Sequence, residues 1–416
     1  MSAEEIANHQ RGRLQGAMVE AVARHGFVGT TMRELVALAG VSRTTFYANF
    51  DNKQDCFLAT FDAIVAELEV RVGEAYRAGG DFRGGLMAGL AAFMQIAVEE
   101  PAAASLAAVE SLALGAAGVA HRERAAEAFE VLVQQSFDHS PLDREVSPTT
   151  VRAIVAGIRG VTYRRLRGGL AAELPGTVEV LGDWALAYQL PESDVTLRAI
   201  AAAEVPQVDD TEEETDSTAL GWDEPPDSRR SRAELGQRDR IVRAAARVVV
   251  ERGYEALSIP AISAAAGTSN QTFYEHFPSK RDAFLAAFEI LSGEALRQSV
   301  AAYARQDQAP EAIGAGLRAM LEYIADNELF ARLAFFELPT AGPPALDRAD
   351  ATLGLFTAYL RNSPELGPPL PKPIMEAIPS ALWAVIQHEI TQGRLETLPE
   401  LAPEAARIAI ASFGPA

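Results

Sequence analysis

One cysteine among 416 residues, Cys56, excludes an internal disulfide framework and fits a reducing compartment. On a helix such a thiol reads as a packing group rather than a redox sensor. No uncharged apolar run reaches the roughly 18 residues of a membrane span. The chain opens with Glu4 and Glu5 before Arg11 rather than a basic stub and an apolar segment, so a soluble, cytoplasmic protein is expected. Runs of β-branched residues are few and no period-two alternation stands out, which excludes a sheet protein. Catalytic and metal patterns are missing as well. His388-Glu389 lacks a second His four residues on, His9, His25, His121 and His139 are scattered, and there is no phosphate loop or nucleophile elbow. No enzyme activity, metal or cofactor is expected. Basic residues are also short, 37 against 57 acidic, and the net charge of −20 counts against a polyanionic partner.

What is present is alanine in abundance, with apolar residues at three- and four-residue spacing along most of the chain, which predicts an all-α fold. It is also a duplicated chain. Ser42-Arg43-Thr44-Thr45-Phe46-Tyr47-Ala48-Asn49-Phe50 returns as Ser269-Asn270-Gln271-Thr272-Phe273-Tyr274-Glu275-His276-Phe277, an offset of 227 residues. The frame holds without gaps from Gly26/Gly253 to Phe61/Phe288, with 15 of 36 positions identical, far more than chance gives a block this short. Further on, Ile154 to Gly169 matches Ile378 to Gly393 at an offset of 224, so the repeat spans both halves.

The negative charge is unevenly placed. Ten acidic residues and no basic one lie between Glu204 and Asp227, followed by Arg229, Arg230, Arg232, Arg238, Arg240, Arg243 and Arg247. The acidic stretch has too little apolar content to fold and repels itself, so it reads as a disordered linker at 204–228. The expected domains are 1–60 and 229–288, two small helical modules, each followed by a larger helical region, 61–203 and 289–416. The arginine run suits an arm that reaches a polyanion as well as it suits a solvated helix face.

Within the first module, Leu14, Met18, Ala21 and Val22 form the stripe of a helix that Gly26 ends. Thr31 with Glu34 forms a capping box for a second helix, Met32 to Ala39, which Gly40 breaks. Ser42 caps a third helix, and Asp51, Asn52 and Lys53 open a fourth. The second copy repeats the plan with Gly253, Ser258, Gly267, Ser269 and Ser279-Lys280, although Ala261 replaces Glu34 and leaves its capping box incomplete. Helix, glycine turn and short helix make a helix-turn-helix. Phe46, Phe50, Phe273 and Phe277 lie on its apolar face and are core.

Here the chain resembles the TetR family of bacterial transcriptional regulators. The resemblance rests on Gly26-Phe27, Thr31, Ala39-Gly40-Val41-Ser42, Thr45 to Phe50 and Asn52-Lys53-Gln54-Asp55. In the second copy it rests on Gly253-Tyr254, Ser258, Ala266-Gly267, Thr272 to Phe277 and Ser279-Lys280-Arg281-Asp282. It implies that the third helix enters the DNA major groove. Arg43, Thr44 and Thr45 would then read bases, with Tyr47, Lys53 and Thr31 on phosphates; Asn270, Gln271 and Thr272 would correspond, with Tyr274, Lys280 and Ser258. The capping residues Ser42 and Ser269, and His276, belong to the same DNA-facing set. Independent chemistry agrees: Arg pairs with guanine, and Asn and Gln with adenine. A Lys in a first helical turn opposes the macrodipole unless it serves another group.

The resemblance further implies that each larger region is a helical bundle that binds a small-molecule effector and pairs through its last two helices, Ile154 to Gly169 with Val178 to Tyr188 and Ile374 to Gly393 with Ala402 to Phe413. Pocket candidates are Glu110, Tyr163 and Trp184 in the first, and Phe336, Trp383 and His388 in the second. In a duplicated chain this pairing can be intramolecular, giving a monomeric pseudo-dimer, with a homodimer as the alternative. The reading is a repressor that holds two unlike half-sites, about 34 Å apart, of an imperfect palindrome. The competing reading is a ligand-binding or protein-interaction module in which one or both helix-turn-helix copies no longer read DNA.

Overall fold

A computed structural model describes residues 2–141, 145–189, 236–356 and 370–411. The acidic stretch 204–228 and the arginines before Gly236 lie outside them. Among the described residues every regular element is helical, and no helix is long and apolar enough to cross a membrane. Two compact units result, one of Met1–Leu190 with Pro371–Ala381, the other of Pro191–Leu370 with Leu382–Ala416.

In the first unit, α1 (Ala3–Gly29) is interrupted at Gly26, where φ is +66° and only a residue without Cβ is at ease. Then come α2 (Met32–Ala39), α3 (Arg43–Asn49) and α4 (Lys53–Ala78). Each of these three is started by a side-chain cap: Thr31, Ser42 and Asn52 accept the amide protons of Glu34, Thr45 and Asp55. Only half of the expected capping box closes, because the Glu34 carboxylate lies 3.0 Å from His25 Nε2 instead. Gly40 ends α2 in the left-handed region, where the chain turns toward α3.

The bundle follows with α5 (Phe82–Glu99), α6 (Pro101–Ala108), a 3-10 turn (Glu110–Leu114), α7 (Gly115–Asp138), α8 (Pro148–Arg167), a second 3-10 turn (Ala171–Thr177) and α9 (Val178–Ala187). Leu14, Met18, Leu35, Phe46 and Phe57 make one core, and Leu106 and Leu114 of the bundle belong to it too. The small module is therefore welded to the bundle through apolar contact, the largest favourable contribution available to it.

The second unit repeats the order: α10 (Gln237–Arg252), α11 (Ile259–Ala266), α12 (Asn270–His276), α13 (Lys280–Tyr303) and α14 (Ala309–Asp326). After α15 (Glu328–Arg332) the chain widens into a π turn (Leu333–Glu337) and tightens into a 3-10 turn (Leu338–Ala341). α16 (Pro343–Phe356), α17 (Lys372–Thr391), a 3-10 turn (Leu398–Leu401) and α18 (Ala402–Ile410) complete the described helices. Pro260 sits in the first turn of α11, where its missing amide proton costs nothing.

Candidate nucleic-acid interface

The third helix of each module is anchored on one side and free on the other. Phe46 and Phe273 are wholly buried, and Phe50 and Phe277 nearly so. On the opposite face Arg43, Thr44 and Tyr47 are exposed, as are Asn270, Gln271, Tyr274 and His276. Tyr47 and Tyr274 keep 58% and 60% of their surface open, which decides against a packing role for these rings. Each ring makes a T-shaped contact with the buried Phe beside it, at 5.5 and 5.8 Å.

Thr45 and Thr272 differ from their neighbours. Both are partly buried, their amides donate to the capping Ser42 and Ser269, and their hydroxyls lie 2.9 and 3.0 Å from the same serine oxygens. The caps are thus part of a closed local network, and of the three base readers expected in each helix two are exposed, Arg43-Thr44 and Asn270-Gln271. Thr31 and Ser258 are exposed at the start of α2 and α11.

The two lysines are held from within. Lys53 Nζ donates to the carbonyls of Phe27 and Thr30, both at 2.8 Å, and stands 4.3 Å from the Phe27 ring centre. Burial lowers its pKa. Lys280 Nζ donates to Leu257 at 2.6 Å and lies 5.1 Å from the Tyr254 ring. An ammonium has three protons. Lys53 thus keeps one for an outside anion and Lys280 two, while both fix the loop after the first helix. This explains a cation in a first helical turn without appeal to a partner.

Sequence reasoning passed over two further arginines of α1. Arg11 donates to the Asn49 carbonyl at 3.2 Å and covers the Phe50 ring at 4.5 Å; Arg13 donates to the Gly40 carbonyl at 3.3 Å. Arg238 covers Phe277 at 5.3 Å in the same way. The signal was available, since Arg11/Arg238 and Arg13/Arg240 keep the offset of 227. Arg243 by contrast is buried, and desolvation lowers its pKa.

Another repeated contact joins module to bundle. Glu110 Oε2 accepts the Phe27 amide proton at 2.8 Å, and Glu337 Oε2 accepts that of Tyr254 at 2.7 Å. Both amides directly follow the positive-φ glycines, Gly26 and Gly253. The pair Glu110/Glu337 again keeps the offset of 227, extending the gapless register well into the bundles.

The first bundle encloses a cavity of about 200 Å³ between α4, α5, α6, α7, α8 and α9. Its walls are mostly apolar, with Leu90, Phe93, Phe129 and Ile154 among them, and the charged groups that line it are Glu67, Arg71, Glu100, Arg122 and Arg159. The candidates named from the sequence do not line it. Glu110 holds Phe27, Tyr163 is buried and accepts from Arg167 at 3.0 Å, and Trp184 is buried against Tyr188. In the second unit Phe336 lies in the π turn, Trp383 stacks on Phe335 at 4.2 Å, and His388 is partly buried farther along α17.

Paired helix-turn-helix modules with exposed third helices, each fused to a helical bundle, define a DNA-binding regulator. The model of the family described as "Bacterial regulatory proteins, tetR family" matches at two places, residues 17–60 and 241–287. The chain thus carries two copies of that family's DNA-binding domain in one polypeptide. Among solved structures it is similar to a TetR family transcription regulator from Marinobacter aquaeolei VT8, at 19% identity over 41% of this chain and 94% of that one, with a TM-score of 0.33, a likeness too slight to bear on the fold. A comparison with curated proteins found no match.

Proposed function

We propose that the chain is a repressor that grips an operator through α3 and α12 and lets go when a small molecule enters a bundle. The observation that carries this reading is the pair of exposed faces, Arg43-Thr44-Tyr47 and Asn270-Gln271-Tyr274, each backed by a buried Phe and flanked by cations. Arg43 suits guanine, whereas Asn270 and Gln271 suit adenine, so the two half-sites differ. Thr31, Lys53, Ser258 and Lys280 are the phosphate-side residues of the proposal, with Arg11 and Arg238 added.

The paired heads would be supplied by one chain. Support comes from Pro371–Ala381, which counts with the first unit although it lies in the second half of the sequence. There the buried Arg165 meets Glu376 at 2.9 Å, and Arg164 donates to the Glu376 carbonyl at 2.6 Å and to Ser380 Oγ at 3.2 Å. A buried Arg–carboxylate pair of this kind is destabilising when one partner is removed, by about 3–5 kcal/mol. It specifies where α8 and the start of α17 pack. The contact supports reading the chain as a monomeric pseudo-dimer of domains 1–60 with 61–203 and 229–288 with 289–416, and a dimer of fused chains is the alternative that mass in solution distinguishes.

Release works by population shift: an effector needs only higher affinity for the arrangement whose heads no longer match the groove. The contact of Glu110 with Phe27 is the polar link of the first bundle to its head, beside the apolar contacts of Leu106 and Leu114. Selection of bound fragments from random duplex DNA tests the proposal. An enriched imperfect palindrome with two unlike half-sites is the expected result. Failure to retain any duplex at low ionic strength would sink it in favour of a module that no longer reads DNA.

A further inference from the structure

The cavity of the first bundle has apolar walls and an unmatched pair of cations. Among its polar lining groups, Thr162 Oγ1 donates to the Ile158 carbonyl, Ser136 Oγ to Leu132, and Arg71 is paired with the two lining acids, Glu67 and Glu100, and with Glu99. Arg122 and Arg159 are different. Arg122 uses Nη1 on the Ala108 carbonyl and Ser111 Oγ, and neither arginine forms an ion pair with a carboxylate among the described residues. Arg159 makes no hydrogen bond there either.

The acids nearby do not neutralise them. Glu130 is paired with Arg152 at 2.8 Å and acts on Arg159 only at longer range, as Glu123 does on Arg122. Arg122 is hemmed in by protein yet keeps accessible surface, as a group fronting a cavity does. Burial first, and then the charge of Arg159, bring its pKa down to about 10, so it remains a cation at neutral pH. Two like charges facing one apolar space are unfavourable unless an anion joins them. Guanidinium groups hold carboxylates in bidentate fashion.

The second half lacks this arrangement. At the offset of 227, Ala108 corresponds to Phe335, and at the offset of 224, Arg159 corresponds to Trp383. These two rings contact at 4.2 Å, so aromatic carbon stands at the positions that an alanine and an arginine hold in the first half. Arg122 corresponds to Leu346 or Ala349 under the two offsets, neither of them basic.

From these observations we infer that the first bundle, and not the second, binds a small amphipathic carboxylate, its tail in the apolar cavity and its carboxylate between Arg122 and Arg159. The inference rests on the regulator reading above and names the class of effector. The cavity of about 200 Å³ lies below the roughly 300–1,000 Å³ of drug-sized pockets, which favours a short tail. The carboxylate would also draw Arg122 toward itself. Ala108 and Ser111, its present partners, flank Glu110, so binding reaches the contact that holds the first head.

The test titrates the full chain calorimetrically with straight-chain carboxylates of four to twelve carbons, octanoate in the middle, against octan-1-ol and octylamine. One carboxylate per chain is expected, with the alcohol and amine at least about tenfold weaker, the scale of a charge-assisted hydrogen bond. Arg159→Met removes no hydrogen bond seen among the described residues, so it should fold as wild type and abolish the preference for carboxylate over alcohol. The inference is overturned if no carboxylate binds, if alcohol and carboxylate bind alike, if two bind per chain, or if Arg159→Met leaves the preference intact. The same preparation is assayed on the selected operator. Duplex binding without carboxylate binding refutes the effector class alone, and carboxylate binding without duplex binding refutes the regulator alone.

Discussion

Removing the Glu110 carboxylate isolates the link between bundle and head. In Glu110→Ala the Phe27 amide loses its acceptor at 2.8 Å in a partly buried site, directly after a glycine held at φ +66°. A hydrogen bond to a charged group is worth about 1.5–3 kcal/mol, so local opening around Phe27 should become roughly ten- to a hundredfold more frequent. Glu110→Gln keeps a neutral acceptor and should lose about half as much. The assay is amide exchange at Phe27 by NMR, with Tyr254, held by Glu337 at 2.7 Å, as internal reference. Selective loss of protection at Phe27, in the order Ala, Gln, wild type, is expected. If Phe27 exchanges in Glu110→Ala at the wild-type rate, the carboxylate does not hold the head. If Gln equals Ala, charge rather than hydrogen bonding is responsible. In the repressor reading, Glu110→Ala should also blunt effector release while leaving affinity for DNA nearly unchanged.

Gly40→Ala and Gly267→Ala should destabilise their modules by similar amounts. Both sit in the left-handed region, at φ +60° and +64°, worth about 1–2 kcal/mol; space at Gly267 is open, and the one atom close to a Cβ at Gly40 is the end of the exposed, flexible Arg13 side chain, which can swing aside. Thermal unfolding of the two variants measures both losses, and a loss at either site well below about 1 kcal/mol would contradict the backbone argument. The Cys56 thiol is fully buried, and burial pushes its pKa up to about 12, so in the native protein it should resist a thiol reagent at pH 8 and react only on unfolding; rapid native labelling would refute this. Arg43→Ala should relax base preference at one operator position by about 1–3 kcal/mol, while Lys280→Gln should weaken all sequences and reduce the salt slope by about 1. For Lys53→Gln, with two carbonyls at 2.8 Å losing their donor, a fall in stability should accompany any loss of affinity, which paired unfolding and mobility-shift measurements would reveal.

The local fold was legible because short-range rules wrote it. Thr31, Ser42, Gly40 and Gly26 act within three or four residues of themselves, and the structure places the boundary of α2 where those residues predict it. The exposed face of α3 was equally readable, since burying Phe46 and Phe50 fixes where Arg43, Thr44 and Tyr47 point. What escaped were contacts between residues far apart in sequence. Nothing local to Glu110 announces Phe27, 83 residues away, and a polar residue in an apolar bundle invites assignment to a pocket. Lys53 was ambiguous for the same reason, its carbonyl partners lying 23 and 26 residues upstream. Arg122 and Arg159 look like ordinary surface charges along α7 and α8 until the helices assemble and leave them facing a void. The repeat itself held more than was drawn from it: following the offset of 227 to Glu337 would have marked Glu110 as structural.

Arg43-Thr44 in one third helix and Asn270-Gln271 in the other make the two exposed faces of the polypeptide unlike. A regulator assembled from two copies of one chain can be lifted off and set down reversed without consequence. In the proposed pseudo-dimer the same reversal would set each face on the wrong half-site, so whatever met it from the left would encounter a different surface from whatever arrived from the right.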